Sequence, residues 1–160
     1  LGRPTFVGTI NGAISGLAGV TPASGYIHVQ SGFAIGLLVG IGGYLGVMLF
    51  KERLGIDDAL DVSSVHGVTG VLGSLLLGVY ASSQVNPAGP NGALFGNPMQ
   101  LAIQAFGVFV AFVWASVGTW LIMRVLEITI GTRANREVEN AGLDRSQHGE
   151  RSYTDLQVLL

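Results

Sequence analysis

The sequence contains no cysteine. Disulfides, thiolate nucleophiles and cysteine-ligated metal sites are therefore excluded. Charge is scarce as well. Asp, Glu, Lys and Arg make up 11% of the 160 residues, against about 25% in a soluble domain. The net charge of -2 offers no electrostatic footprint for a nucleic acid. No pair of carboxylates, no Ser/His/Asp set and no metal-ligand cluster is apparent, so no enzyme chemistry, cofactor or metal is expected. A signal peptide is not visible, since no basic region precedes an apolar run with a cleavage site. The chain opens on LGRPTF, not on methionine, and reads as the interior of a longer protein. It is expected to be a C-terminal portion.

What remains is apolar. Hydrophobic residues reach 49% and there are 25 glycines. That composition points to an all-α integral membrane protein. Charge placement supplies the layout. Nothing is charged between Arg3 and Lys51, or between Asp61 and Arg124. Each gap is too long for one membrane helix of about 20 residues and suits two. The breaks within the gaps, TPASGYIHVQS (21–31) and SSQVNPAGPNGALFGNP (82–98), carry loop composition. Four spans are predicted, over about 6–22, 31–50, 62–81 and 99–123, the last extending to about 130. The first is diluted by Thr9, Asn11, Ser15 and small residues, as expected of a helix buried against protein.

Four crossings put every Lys and Arg on one side: Arg3, Lys51, Arg53, Arg124, Arg133, Arg136, Arg145 and Arg151. By the positive-inside rule that side is cytoplasmic. The polar segment 131–160 is then a cytoplasmic tail, with a short helix predicted over 134–141 and stopped by Gly142. Tyr26 and Tyr80 fall near the outer interface, and His28 in the outer loop reads as a surface group.

The stretch DDALDVSSVH (57–66) concentrates the chemistry. Asp57 or Asp58 is placed to cap the third span, where a carboxylate satisfies free N–H groups and the positive end of the dipole. Asp61 reads as a structural carboxylate at the helix start. His66 lies about 12 Å along the helix from Asp58, close to half of a hydrocarbon core of about 30 Å. An ionisable group at that depth either lines a pathway or bonds a neighbouring helix; both readings stand. Gly12/Gly16, Gly32/Gly36/Gly40 and Gly42/Gly46 have close-approach spacing. Gly67 and Gly70, beside His66, either pack a helix or leave room at the imidazole. Asn11 and Thr21 are candidate pore-facing polar groups.

Three stretches carry a resemblance: GAISGLAGVTPASGYI (12–27), GIDDALDVSSVHGVTGVLG (55–73) and the tail run GLDRSQHGERSY (142–153). Together they resemble the C-terminal part of the ammonium transporter, methylammonium permease and Rh family. The resemblance implies an eleven-helix fold of inverted five-helix repeats plus a long final helix, of which this chain supplies the last four. It implies a homotrimer in a cell membrane, each subunit conducting ammonium or ammonia through its own pore. His66 matches the second of two pore histidines, and its partner belongs to the N-terminal part of the same transporter. In the tail, Gly142, Asp144, Ser146, His148, Gly149, Glu150 and Tyr153 match a regulatory region that in relatives often meets PII signal proteins. Ser146 matches a position phosphorylated in plant relatives. Ala59 departs from the proline of bacterial relatives and alters only the helix start. Two other readings stand beside transport: an ammonium sensor signalling through its tail, and a proton-coupled carrier of another small substrate.

Overall fold

The computed structural model describes residues 5–150. Among them there is no strand. Helix α1 spans Phe6–Val20. Its first turn is capped by Thr5, whose hydroxyl oxygen accepts from the Gly8 N–H at 3.1 Å. It stops where Thr21–Ala23 tighten into a 3₁₀ turn containing Pro22, a residue with no N–H for the α-helical ladder. Helix α2 runs Val29–Val47 and continues as a π-helical turn, Met48–Arg53. Gly55 then takes a left-handed conformation at φ +62° and turns the chain. A second π-helical turn, Ser63–Val68, leads directly into α3, Thr69–Tyr80. Helix α4 is Met99–Thr129, and the short α5 is Arg136–Ala141. A last π-helical turn covers Asp144–His148.

Three of these stretches are long and apolar enough to cross a membrane: Val29–Arg53, Ser63–Tyr80 and Met99–Thr129. The segment expected as the first span forms α1, but α1 has 15 residues. That is about 22 Å of helix, short of a hydrocarbon core of about 30 Å. The 3₁₀ turn at Pro22 removes the residues that would have lengthened it.

The chain divides into two compact units, Leu1–Val113 and Trp114–Leu160. In the first, α1, α2 and α3 pack through small residues. Gly16 lies against the Gly36 carbonyl and Gly40 against that of Gly12, so the two spaced glycine pairs face each other. Gly73 is tighter still: a Cβ there would collide with the Gly19 carbonyl. At the loop end, Ala23, Ile35 and Val39 are fully buried, with Val20, Ile27, Leu72, Leu76, Leu77 and Tyr80 packed around them. The loop after α3 is pinned by its backbone. Ser82 N–H donates to the Tyr26 carbonyl at 2.8 Å, and Gly92 N–H to that of Ala81 at 2.7 Å. His28, expected as a surface group, is half-buried, its ring centroid 6.0 Å from that of Phe95.

In the second unit the α4 side chains are almost all exposed. The Arg124 guanidinium lies 5.8 Å from the Trp120 ring centroid, a cation–π arrangement. Helix α4 closes at Gly131, φ +69°, whose N–H returns to the Leu126 carbonyl. Helix α5 begins on Asn135, whose side-chain oxygen accepts from the Val138 N–H at 2.9 Å, and ends at Gly142.

Candidate functional site

The segment between α2 and α3 builds the site. Asp58 provides the cap. Its carboxylate accepts from the N–H groups of Val62 (3.0 Å) and Ser63 (2.7 Å) and from the Ser63 hydroxyl (2.6 Å). Those bonds stabilise the charged form. The Ser63 hydroxyl first, and then its amide, hold the Asp58 carboxyl below the ordinary aspartate range. Asp57 is exposed.

Asp61 is drawn inward to 9% exposure. Its Oδ2 accepts from Asn11 Nδ2 of α1 at 2.9 Å, and its Oδ1 pairs with Lys51 Nζ at 3.0 Å. Its carbonyl oxygen accepts from the N–H groups of Ser64 (3.1 Å) and Val65 (2.8 Å). One residue therefore joins α1, the end of α2 and the start of the next helix. Asn11, Lys51 and Asp61 also line a cavity of about 690 Å³, together with Thr9, Ser15 and Tyr44.

His66 lies on the π-helical turn that follows. The turn has two unlike faces. Ser64, Val65 and Thr69 are buried, with Ser64 against Gly46 and Thr69 against Gly43. The Thr69 hydroxyl returns to the Val65 carbonyl. His66 and Gly67 are exposed, and a Cβ added at Gly67 or Gly70 would meet nothing within 4 Å. The imidazole thus stands on an open face beside two glycines, away from the packed seam. It is not among the residues lining the 690 Å³ cavity.

Of the other candidates, Asn11 is committed to Asp61. Thr21 is exposed, and its hydroxyl donates to the Leu17 carbonyl of its own helix at 2.9 Å. In the tail, the Ser146 hydroxyl donates to the Gly142 carbonyl at 2.8 Å, and Glu150 N–H to that of Asp144 at 3.1 Å. Gly142 and Gly149 hold left-handed φ values of +91° and +68°, and His148 is exposed. Tyr153 lies outside the described residues. Among the described residues no group of three or more His, Asp or Glu side chains could hold a metal ion.

Lys51 is the member of this arrangement that sequence reasoning passed over. A signal was available: a lone aspartate drawn inward in a charge-poor chain requires a donor or a cation, and Lys51 is the first cation before it except Arg53.

Residues 1–153 match the family described as the Ammonium Transporter Family. The chain belongs to the ammonium transporter family. It is 47% identical over 157 residues to Ammonium transporter 1 of Dictyostelium discoideum, an alignment covering 98% of this chain and 34% of that protein. The ammonium transporter of Aquifex aeolicus is 40% identical over 153 residues, covering 96% of this chain and 36% of the relative. The crystal structure of Saccharomyces cerevisiae Mep2 matches with a TM-score of 0.78 and 34% identity, covering 84% of this chain and 31% of that one. The chain spans about a third of the length of the curated relatives it matches. Family membership and the three apolar helices make it a multi-pass membrane protein.

Proposed function

We propose that this chain forms part of a transporter that moves ammonium or ammonia across a cell membrane, with His66 in the path. The near end-to-end likeness to a protein named an ammonium transporter carries the reading. In this reading the chain is the C-terminal part of an eleven-helix inverted-repeat fold, and α1 to α4 are its last four helices. The subunit is one of a homotrimer, and methylammonium also passes.

The chemistry follows from desolvation. An ammonium ion entering a narrow apolar path must shed water, which is costly for a full charge. Passing the proton separately from neutral ammonia lowers that cost. A neutral imidazole has one N–H donor and one bare nitrogen, so it can hold ammonia and relay a proton. The open face at His66, beside Gly67 and Gly70, supports this role. It leaves room for a partner imidazole from the N-terminal part of the transporter.

The experiment is uptake of radiolabelled methylammonium by the full-length transporter carrying His66→Ala or His66→Glu. The expected outcome is a fall in flux, altered ion selectivity, or both. Wild-type flux with wild-type selectivity in both variants would overturn the role of His66. Uptake that ammonium does not compete would favour a carrier of another substrate.

The tail from 131 is read as cytoplasmic and regulatory, a region a PII signal protein could engage. Asp144 shares the turn of Ser146, and Glu150, just beyond it, donates its N–H to the Asp144 carbonyl. A phosphoryl group on Ser146 would meet their like charge and break the Ser146–Gly142 bond. A Ser146→Asp transporter is expected to differ from wild type in uptake rate; identical rates would count against the switch.

A further inference from the structure

Asp61 is the one non-glycine residue among those described with a left-handed φ, at +54°. Aspartate tolerates that region better than most residues, yet it remains disfavoured. Such a conformation persists where the surroundings over-determine it. Here the surroundings are identifiable. One carboxylate oxygen is held by Asn11 of α1, the other by Lys51 at the end of α2. The carbonyl is held by the Ser64 and Val65 amides. All four bonds converge on a single residue five positions before His66.

The π-helical turn starts at Ser63, two residues after Asp61. A π-helical turn bonds each N–H to the fifth preceding carbonyl and widens the helix. It therefore changes the direction in which later side chains leave the axis. The Asp61 carbonyl accepts from the Ser64 and Val65 amides just ahead of the i+5 bonds, so it anchors the residues on which the π-helical turn is built. We propose that the Asp61–Lys51–Asn11 clamp is a positioning device for His66. It fixes the left-handed residue at the helix entry and so sets the rotation at which the imidazole is presented to the path. Asp61 acts through the backbone of the turn and does not touch the transported species. The proposal rests on the reading of His66 given above.

The test is a double-mutant cycle in the full-length transporter with two readouts. The first is methylammonium uptake, resolved into Vmax and KM. The second is amide hydrogen exchange of peptides covering 62–69 in the purified protein. Asp61→Asn keeps the left-handed preference and the bond from Asn11 but leaves Lys51 without its anion. Lys51→Met leaves the carboxylate without its cation. Each single variant is expected to lower Vmax about fivefold or more, with KM within about twofold of wild type, and to speed exchange over 62–69. The double variant Asp61→Asn/Lys51→Met removes both charges together. It is expected to recover at least about half the wild-type Vmax, because a neutral pair leaves nothing unpaired.

Single variants with wild-type Vmax and exchange overturn the proposal. So does a double variant as slow as Asp61→Asn alone, which would make Asp61 a group acting on the substrate itself. If Asp61→Asn does not reach the membrane, Asn11→Ala loosens one arm of the clamp only. It is then read on both measurements, and no change in either overturns the clamp. Should His66→Ala transport normally, the pore reading fails on its own, while hydrogen exchange still judges the clamp.

Discussion

Helix α3 and helix α4 are both apolar and both lack charge over most of their length, yet they use that character differently. On α3 the buried positions Thr69, Gly73 and Gly78 are small, and each meets a neighbouring helix closely: Gly43 of α2, Gly19 of α1 and Leu101 at the start of α4. On α4 only Gln100 is buried in 31 residues, and Phe106, Phe109, Phe112, Trp114 and Trp120 are all exposed. Apolar residues gain nothing from leaving lipid for protein, so helices in a membrane associate through close backbone approach and hydrogen bonds. α3 carries the small residues that allow this. α4 carries bulky aromatics, which suit lipid or a broad protein surface. Hydrophobicity alone did not separate the two; residue size at the contact positions did.

Glycine substitution tests that contrast most severely. Gly73→Leu would drive a side chain into the Gly19 carbonyl, which is backbone and cannot turn aside. Separating α1 from α3 is expected to cost about 3 kcal/mol or more. The measurement is the amount of folded transporter recovered in detergent and its thermal midpoint. Gly118→Leu on α4 meets nothing within 4 Å and is expected to leave both nearly unchanged. Equal losses in the two variants would show that α4 is packed as closely as α3.

Much of this contrast could be read in the sequence. The charge gaps contain α2, α3 and the part of α4 before Arg124, because charge is costly within the hydrocarbon core. The close-approach glycines were visible as spacing. Their partners were not: that Gly16 meets Gly36, and Gly73 meets Gly19, is decided by how the helices cross. Helix α1 ends at Val20, two residues before the expected 22, because a 3₁₀ turn over Thr21–Ala23 takes over. The site was legible in part. The histidine and the capping aspartates stand in one ten-residue run. The bond from Asn11 to Asp61 spans 50 residues, and no local pattern announces it. The left-handed φ at Asp61 was likewise hidden, since Leu-Asp-Val carries no turn signal.

A milder test contrasts the two aspartates of the α3 entry. Asp58 is half-buried and caps by hydrogen bonds alone, whereas Asp61 is held within the clamp. The Ser63 hydroxyl and amide keep the folded carboxyl of Asp58 below its unfolded value, which is about 3.9. Its contribution is fully present above that unfolded value and is lost as pH falls through the lowered folded value. Hydrogen exchange over 62–66 is therefore expected to be flat from neutral pH to about pH 5, after correction for the intrinsic rate, and to accelerate in stronger acid. Asp58→Asn should bring the faster exchange to neutral pH. An unchanged profile would mean that the clamp alone orders the helix start.

The smallest expected effect lies in the tail, where a helix stands with little packing to support it. Every residue of α5 but Val138 is exposed. Six residues are far below the length at which a helix holds in water by itself, so local caps must carry it. Asn135 accepts from the Val138 N–H at one end, and Gly142 closes the other. Asn135→Ala removes the first and is expected to cost about 1 kcal/mol. That shifts a local equilibrium without touching α1 to α4. The readout is exchange of amides 136–141, expected to quicken about fivefold, which is that energy converted at room temperature, while peptides from α3 stay unchanged. Unchanged exchange in α5 would show that it is held by a surface beyond its own residues, a docking contact of the kind a regulatory tail requires.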